Sequence, residues 1–191
     1  VDDGDKIAAG VSGGKDSLAL LYALSGLRKF YPKKFDIVAL TVNLGFENQD
    51  FNLIKDFCKE LDVECKIIDT EIGDIVFHKR KESNPCSLCA KMRKGSLNDV
   101  AKKMGCNKVA YAHHRDDMIE TMLMSLIYEG RFHCFNPVTY LDRMGLNVIR
   151  PMMYVPEMDV IGFANKYNLP VAKNPCPVDG HTKREYIKTL V

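Results

Sequence analysis

The sequence predicts an α/β fold: an open parallel sheet of about five strands with helices on both faces. Three observations carry that expectation. Short apolar runs of strand length alternate with longer segments of helical periodicity, the pattern of βαβ units. The 191 residues suit one domain at the usual prior of roughly 150 residues per domain. The composition, 46% hydrophobic and 27% charged, is that of a chain able to bury a core. No apolar run approaches the ~20 residues a membrane span requires, and no charged-then-apolar signal opens the chain. A cytoplasmic protein without a membrane partner is therefore expected. The first residue is valine, so one domain over residues 1–191, cut short at one or both ends, is the reading of its extent.

The elements follow in order. Residues 6–11 (Lys-Ile-Ala-Ala-Gly-Val) read as a buried strand. Residues 15–29 carry Leu18, Leu21, Ala23 and Leu24, a helix packed on most of its faces. Residues 36–42 form a second strand. In residues 47–61, Phe51, Ile54, Phe57, Cys58 and Leu61 mark an amphipathic helix. Residues 63–68 are a third strand. Helical spacing returns at residues 87–104 through Leu88, Met92, Leu97, Val100, Ala101 and Met104, with Gly105 as the stop. Residues 108–112 are a short strand and residues 116–128 a helix rich in Met, Ile and Leu. Residues 148–150 read as a further strand, and residues 156–167 as a helix with Pro156 at its start. A last, incomplete helix is expected over residues 180–190.

Net charge is +2, which excludes strong global attraction to nucleic acid. Locally the balance is uneven. Residues 35–75 hold ten acids against three bases. Residues 78–94 hold six bases (Lys79, Arg80, Lys81, Lys91, Arg93 and Lys94) against one acid. Such a basic stretch suits a phosphate-rich partner, although a solvated surface clusters charge in the same way. The seven cysteines are odd in number, which argues against a disulfide framework and for a reducing compartment. Cys58, Cys65 and Cys106 read as core residues, the first and last of them in helices; Cys134 has no evident place.

In open α/β sheets, ligands sit beyond the carboxyl ends of the strands, and the unusual clusters all fall there. The first strand runs into Ser12-Gly13-Gly14-Lys15-Asp16-Ser17 and then a helix. Two glycines permit a tight turn and close backbone approach. Their N–H groups and the helix N-terminus form a concave anion site. Ser12 and Ser17 add hydroxyls and Lys15 a point charge. A Walker A loop is excluded, because Ala9 and Asp16 stand where glycine and Ser or Thr are required. A tight βα turn with a capping serine is the plain alternative, but six residues of this chemistry together favour phosphate binding.

Cys86-Ser87-Leu88-Cys89 opens a helix, where the N-terminus favours thiolate. Alone, such a pair is compatible with redox, zinc or iron–sulfur chemistry. Cys176, between Pro175 and Pro177, offers a third sulfur. Three thiolates suit a [4Fe–4S] cluster with one open iron; zinc would take a fourth ligand, for which His181 is the candidate. After the fourth strand, Ala112-His113-His114-Arg115-Asp116-Asp117 presents paired carboxylates able to hold Mg²⁺ and a histidine able to meet phosphate. Acids in a helix's first turn are also ordinary. Facing the loop at residues 12–17 tips the reading toward function.

Ser-Gly-Gly-Lys-Asp-Ser after a first strand resembles the PP-loop of the ATP pyrophosphatases, with their adenine-nucleotide hydrolase-like fold. With Pro85-Cys86-Ser87-Leu88-Cys89, Met92-Arg93-Lys94-Gly95, His113-His114-Arg115-Asp116-Asp117, Ile149-Arg150-Pro151 and Pro175-Cys176 in this order, the chain resembles the tRNA 2-thiocytidine synthetase (TtcA) family from Gly4 to its end. The resemblance implies ATP-dependent tRNA thiolation. A pyrimidine C2 oxygen, most simply that of cytidine, is adenylated and replaced by sulfur carried on an iron–sulfur cluster, with AMP and pyrophosphate released. It implies ATP phosphates on Ser12, Gly13, Gly14, Lys15, Asp16 and Ser17, and adenosine around Ala9 and Val42. His113, Asp116 and Arg150 would join the ATP site with Mg²⁺, and Cys86, Cys89 and Cys176 would hold the cluster. Lys15, Asp16, Arg93 and Asp117 are the catalytic candidates. The implied partners are tRNA, a sulfur donor such as a cysteine desulfurase, and a second copy in a homodimer.

Three features depart from the family pattern: Ala112 where glycine is frequent, Asp179 where a second C-x-x-C would close, and a short chain. The rival readings are an adenylating enzyme that thiolates uridine or attaches an amine, as tRNA-lysidine synthetase does, and a non-catalytic nucleotide-binding module with structural zinc. Three placed cysteines disfavour the amine version.

Overall fold

A computed structural model describes residues 1–46, 49–80, 85–172, 176 and 183–190. The apolar runs form one six-stranded sheet in the order β3-β2-β1-β4-β6-β5. Its strands are β1 (Asp5–Gly10), β2 (Phe35–Asn43), β3 (Glu64–Asp69), β4 (Lys108–Ala110), β5 (Val138–Leu141) and β6 (Leu146–Ile149). All pairings are parallel except β5 with β6. The expected parallel sheet is present, with one strand more than expected. The extra strand, β5, is a short edge whose Val138 and Tyr140 stay exposed, so no buried apolar run announced it. Gly145, at φ +64°, closes the turn that pairs β5 with β6.

The helices are α1 (Lys15–Phe30), α2 (Asn52–Glu60), α3 (Ile72–Asp74), α4 (Pro85–Lys103), α5 (Arg115–Glu129), α6 (Glu157–Lys166) and α7 (Lys183–Lys188). Helix α3 continues into a π-helical turn, Ile75–Lys79, which the sequence reading did not contain. Residues 47–48 of the second expected helix and 180–182 of the last lie outside the described residues. Cys106 falls just beyond α4 rather than within a helix, because Gly105 at φ +74° ends the helix there. It is buried all the same, as is Cys58, and Cys65 packs against the core half-buried. Cys134 lies after α5, where its Sγ donates to the Met118 carbonyl at 3.5 Å.

Strand alternation divides the core into two layers. Ile7, Ala9 and Val11 face α1, α2 and α6 through Leu18, Leu21, Phe57 and Val160. Ala8, Leu40 and Val109 face α4 through Leu97 and Ala101. Helices thus cover both faces of the sheet, and the carboxyl end of central β1 is left between those of β2 and β4. Among the described residues no helix is long and apolar enough to cross a membrane.

A buried ion pair anchors the opposite end of the sheet. Asp5, 3% exposed, takes Lys108 Nζ at 2.7 Å, Asn107 Nδ2 at 2.8 Å and the Asp2 N–H at 2.6 Å. Burial pushes its carboxyl up, but these hydrogen bonds outweigh burial and hold it below the ordinary carboxylate value. A lowered folded value means stability that is present above the unfolded carboxylate range and lost as pH falls through the folded one. Asp5→Asn should therefore cost about 2–4 kcal/mol at neutral pH. Urea titrations of the two proteins should converge below about pH 4; a gap independent of pH would show that the ion pair is not its source.

Candidate active site

The loop after β1 turns through Gly13 at φ +86°, a conformation that favours glycine. A Cβ there would meet Ala172 Cβ at 3.2 Å and Ile54 Cδ1 at 3.3 Å. The Gly13 carbonyl accepts the Ala172 N–H at 3.0 Å, so the segment leading toward Cys176 is tied to the loop. Ser17 Oγ donates to the Gly14 carbonyl at 2.9 Å and accepts the Ser12 N–H at 3.1 Å, bracing the turn. Gly14 is the N-cap of α1 and supplies no side-chain bond, so the capping-serine alternative does not describe this turn. The first-turn N–H groups of α1 thus have no capping oxygen and suit an anion.

A cleft of about 280 Å³ opens over this loop. Ser12, Gly14, Asp16 and Ser17 line its floor, and Val11, Leu40 and Val42 its apolar side. Helix α4 contributes Ala90, Arg93, Lys94 and Leu97, the segment after β4 contributes Tyr111, Ala112 and His113, and the first turn of α5 contributes Asp117. Ala9 is fully buried in the core, inside β1 rather than at its end; Gly10 and Val11, at and just past the end of the strand, reach the cleft in its place. Arg150 is not among the lining residues. Its Nη1 donates to the Asn136 carbonyl at 2.5 Å and to Thr139 Oγ1 at 3.2 Å, which fastens the loop before β5.

The charged groups form one network. Lys15 Nζ lies 3.0 Å from Asp16 Oδ1 and 2.8 Å from Glu157 Oε1. Burial lowers the Lys15 ammonium, but hydrogen bonds to Glu157 and Asp16 raise it above its ordinary value overall. Burial likewise opposes the net lowering of Glu157, which the Lys15 hydrogen bond leads. Asp116 Oδ2 accepts the Glu157 N–H at 2.7 Å, joining the starts of α5 and α6. His114, buried, caps α5: its Nδ1 accepts the Asp117 N–H at 3.3 Å, and its own N–H donates to Asp117 Oδ2 at 3.0 Å. Its Nε2 lies 3.5 Å from Asp117 Oδ2 and 3.9 Å from both Asp16 Oδ1 and Glu157 Oε1.

Helix α7 completes the network. Arg184 Nη1 donates to Asp117 Oδ1 at 2.8 Å and to buried Glu120 Oε2 at 2.9 Å, and Lys188 lies 3.5 Å from Glu157. Burial raises the Glu120 carboxyl despite these cations. Asp16 Oδ1, excluded from solvent, makes no directed hydrogen bond among the described residues, and its partner is the Lys15 ammonium 3.0 Å away. Sequence reasoning singled out Asp16, Asp116 and Asp117 but missed Glu157, His114 as a cap, Glu120 and Arg184. Glu157 looks like any acid in a helix's first turn, and Arg184 belongs to no motif.

Cys86 is exposed and Cys89 half-buried on the first turns of α4. Cys86 precedes Ala90 by four residues and so shares the stripe that lines the cleft. Burial pushes the Cys89 thiol up; Arg93 pulls it down, and Cys176 and Cys86 add to the rise as neighbours. Cys89 is thus within electrostatic reach of both Cys176 and Cys86. Among the described residues no trio of His, Cys, Asp or Glu is already closed around a metal position. Pro175, Pro177, His181 and Lys81 lie outside the described residues. Lys79, expected in the basic stretch, pairs with Asp74 at 2.8 Å, whereas Arg93 and Lys94 face the cleft.

A parallel sheet with an anion loop at its carboxyl edge, faced by carboxylates, defines an adenine-nucleotide-binding protein of the PP-loop class. A family model described as a PP-loop domain matches residues 2–191. The chain is 39% identical over 181 residues to the tRNA-cytidine(32) 2-sulfurtransferase of Geobacter sulfurreducens, covering 94% of this chain and 70% of that protein. It is 38% identical over 194 residues to the protein of that name in Geobacter metallireducens, covering 100% and 76%. A solved structure, the U34-tRNA thiolase NcsA from Methanococcus maripaludis with its [4Fe-4S] cluster, superposes with a TM-score of 0.82 at 28% identity. That match covers 99% of this chain and 65% of the thiolase, less than two thirds of its length. The chain belongs to the PP-loop family and, within it, to the tRNA 2-thiocytidine synthetase group.

Gly13→Ala should lower the thermal midpoint by about 2–8 °C, from a left-handed penalty of about 1–2 kcal/mol. An unchanged midpoint would show that the turn relaxes freely.

Proposed function

We propose that this chain is an ATP-dependent tRNA sulfurtransferase that thiolates cytidine at C2. The observation that carries the reading is the double duty of α4. Its first turns bear Cys86 and Cys89, and its next turns line the cleft of the anion loop through Ala90 and Arg93. The identities of 39% and 38% to cytidine 2-sulfurtransferases, against 28% to the uridine thiolase, favour cytidine over uridine.

In this reading residues 1–191 act as one ATP-binding domain. The loop at residues 12–17 holds the ATP phosphates, with adenosine against Val11, Leu40 and Val42. Lys15 supplies a charge to the phosphates. Asp16, whose buried Oδ1 is held only by the Lys15 ammonium, is an oxygen donor suited to a hard cation such as Mg²⁺ once Lys15 turns to the phosphates, and Asp116 stands close by. The pyrimidine C2 oxygen attacks the α-phosphorus and pyrophosphate leaves. Sulfur then attacks C2, the C2–O bond breaks, and AMP departs with the oxygen. Arg93 meets the developing negative charge, and Asp117 is held in place by Arg184 and the His114 cap.

Cys86, Cys89 and Cys176 fit the donor set of a [4Fe–4S] cluster: Cys86 and Cys89 are one helical turn apart, and Cys89 is within electrostatic reach of Cys176. Such a cluster, when bound, supplies an open iron that carries the sulfur and acts as a Lewis acid. A cytoplasmic setting, a homodimer and a sulfur donor such as a cysteine desulfurase complete the proposal.

Two measurements test it. Lys15→Ala should abolish tRNA-dependent pyrophosphate release while the circular dichroism spectrum of the fold is retained; ADP and phosphate as products would refute the PP-loop chemistry. After anaerobic purification, the wild-type chain should contain about four irons and four sulfides per chain. Cys176→Ala should lose them while keeping ATP binding. Stoichiometric zinc in place of iron would favour the non-catalytic module.

A further inference from the structure

Opposite the apolar side of the cleft stands a wall of different chemistry. Tyr111 and His113 line it from the end of β4, their ring centroids 5.9 Å apart. Phe135 stands against His113 at 4.8 Å, and the Arg150 guanidinium lies 5.0 Å from the Phe135 ring. Four planar groups therefore run in file from the cleft to the loop before β5. The file is fixed at its far end. Arg150 donates through Nη1 to Asn136 and Thr139, and its N–H reaches the Pro137 carbonyl at 2.9 Å. From α4, Lys94 lies 6.0 Å from the Tyr111 ring centroid, next to Arg93.

The sheet order separates this wall from the adenosine side. Leu40 and Val42 belong to β2, on one flank of β1; Tyr111, His113 and Arg150 belong to the ends of β4 and β6, on the other. Burial lowers the Lys94 ammonium, and the charges acting on it, Arg150, Arg93 and Arg184, are all positive. A cation among cations at the rim of the cleft suits an anion that arrives from outside. Burial, with Lys94, Arg150 and Arg184 and against Asp117, lowers His113 to about 4, so its imidazole is neutral at physiological pH. Its Nδ1 is buried and makes no hydrogen bond among the described residues. A neutral ring with an open nitrogen can meet the polar edge of an uncharged base. Aromatic faces inside a cationic rim are what single-stranded nucleic acid requires: bases stack and phosphates pair.

We propose that Tyr111, His113 and Phe135 form the seat of an extruded pyrimidine nucleotide, with Arg93 and Lys94 meeting its flanking phosphates. The assignment rests on the tRNA-thiolating reading and gives it a substrate pocket. It also moves His113 and Arg150, which the family resemblance attached to ATP, to the nucleic-acid side: His113 as a direct contact, Arg150 as the residue that positions Phe135. The base then lies across the phosphate loop from the adenosine, where its C2 oxygen can approach the α-phosphorus.

The test uses the full chain, an RNA stem–loop with a fluorescent cytidine analogue in its loop, and parallel calorimetry with ATP. Wild-type protein should quench the analogue on binding, because the extruded base stacks on aromatic rings. Phe135→Ala, on a half-exposed loop, should abolish the quench and weaken RNA binding about five- to hundred-fold, with ATP affinity unchanged within about two-fold. Phe135→Tyr should restore both the quench and the affinity. Loss of ATP affinity with the quench retained would make the wall the adenine seat and overturn the proposal, as would an Ala variant that behaves like wild type. Wild-type protein that binds the RNA without quenching defeats the stacking seat alone. Wild-type protein that binds no RNA defeats the tRNA reading itself, and the seat with it.

Discussion

The structure depends on the turn that takes β1 into α1. Strand β1 is central, with β2 and β4 paired on either side, so whatever follows its carboxyl end must lie between theirs. Gly13 makes the turn possible by adopting a left-handed conformation in a space bounded by Ala172 and Ile54. The turn in turn aims the first N–H groups of α1 into the cleft. Three other parts of the site are placed against it: the β4 end with its carboxylates, the face of α4, and the segment leading to Cys176.

Around this turn the carboxylates are held by cations of the chain itself. Lys15 joins Glu157, Lys188 reaches the same carboxylate, and Arg184 bridges Asp117 and Glu120. The ion pairs connect four helices that are far apart in sequence. They are partly buried, so their attraction is screened less than that of surface pairs. In the proposed function, Mg²⁺–ATP would bring both signs of charge and could exchange with these internal partners without leaving an acid or a base uncompensated. Helix α7 contributes Arg184 and Lys188 to this network although it is only six residues long.

Helix α4 gives the site its second function. Residues 86, 90, 93 or 94, and 97 fall on one stripe, so a single rigid element carries a thiol at its N-terminal end and cleft-lining side chains further along. In the proposed function, a sulfur held at Cys86 and Cys89 and a nucleotide held on the loop would be kept in register by helix geometry. Cys89 owes its half-burial to packing against Leu44, Ile72 and Val76, a small apolar cluster that includes the π-helical turn.

Much of this was legible in the chain. The alternation of apolar runs predicts the parallel sheet and the helices on its two faces, because burial on both sides of a strand requires uninterrupted apolar residues. The glycine loop, the C-x-x-C and the paired aspartates announce themselves because their chemistry needs particular residue types at adjacent positions. Strand β5 was invisible because an exposed edge strand needs no apolar run. Ala9 was assigned to the nucleotide because a strand's direction can be read from sequence but not the residue at which it opens into the cleft. Glu157, Glu120, Arg184, Tyr111 and Phe135 are ordinary residues in ordinary segments. They become part of the site only when α6, α7, β4 and the loop before β5 converge on the carboxyl edge of one sheet. Local pattern determined the elements and the phosphate loop; long-range packing alone decided which charges and rings face that loop, since pairing across more than a hundred residues leaves no trace in the spacing.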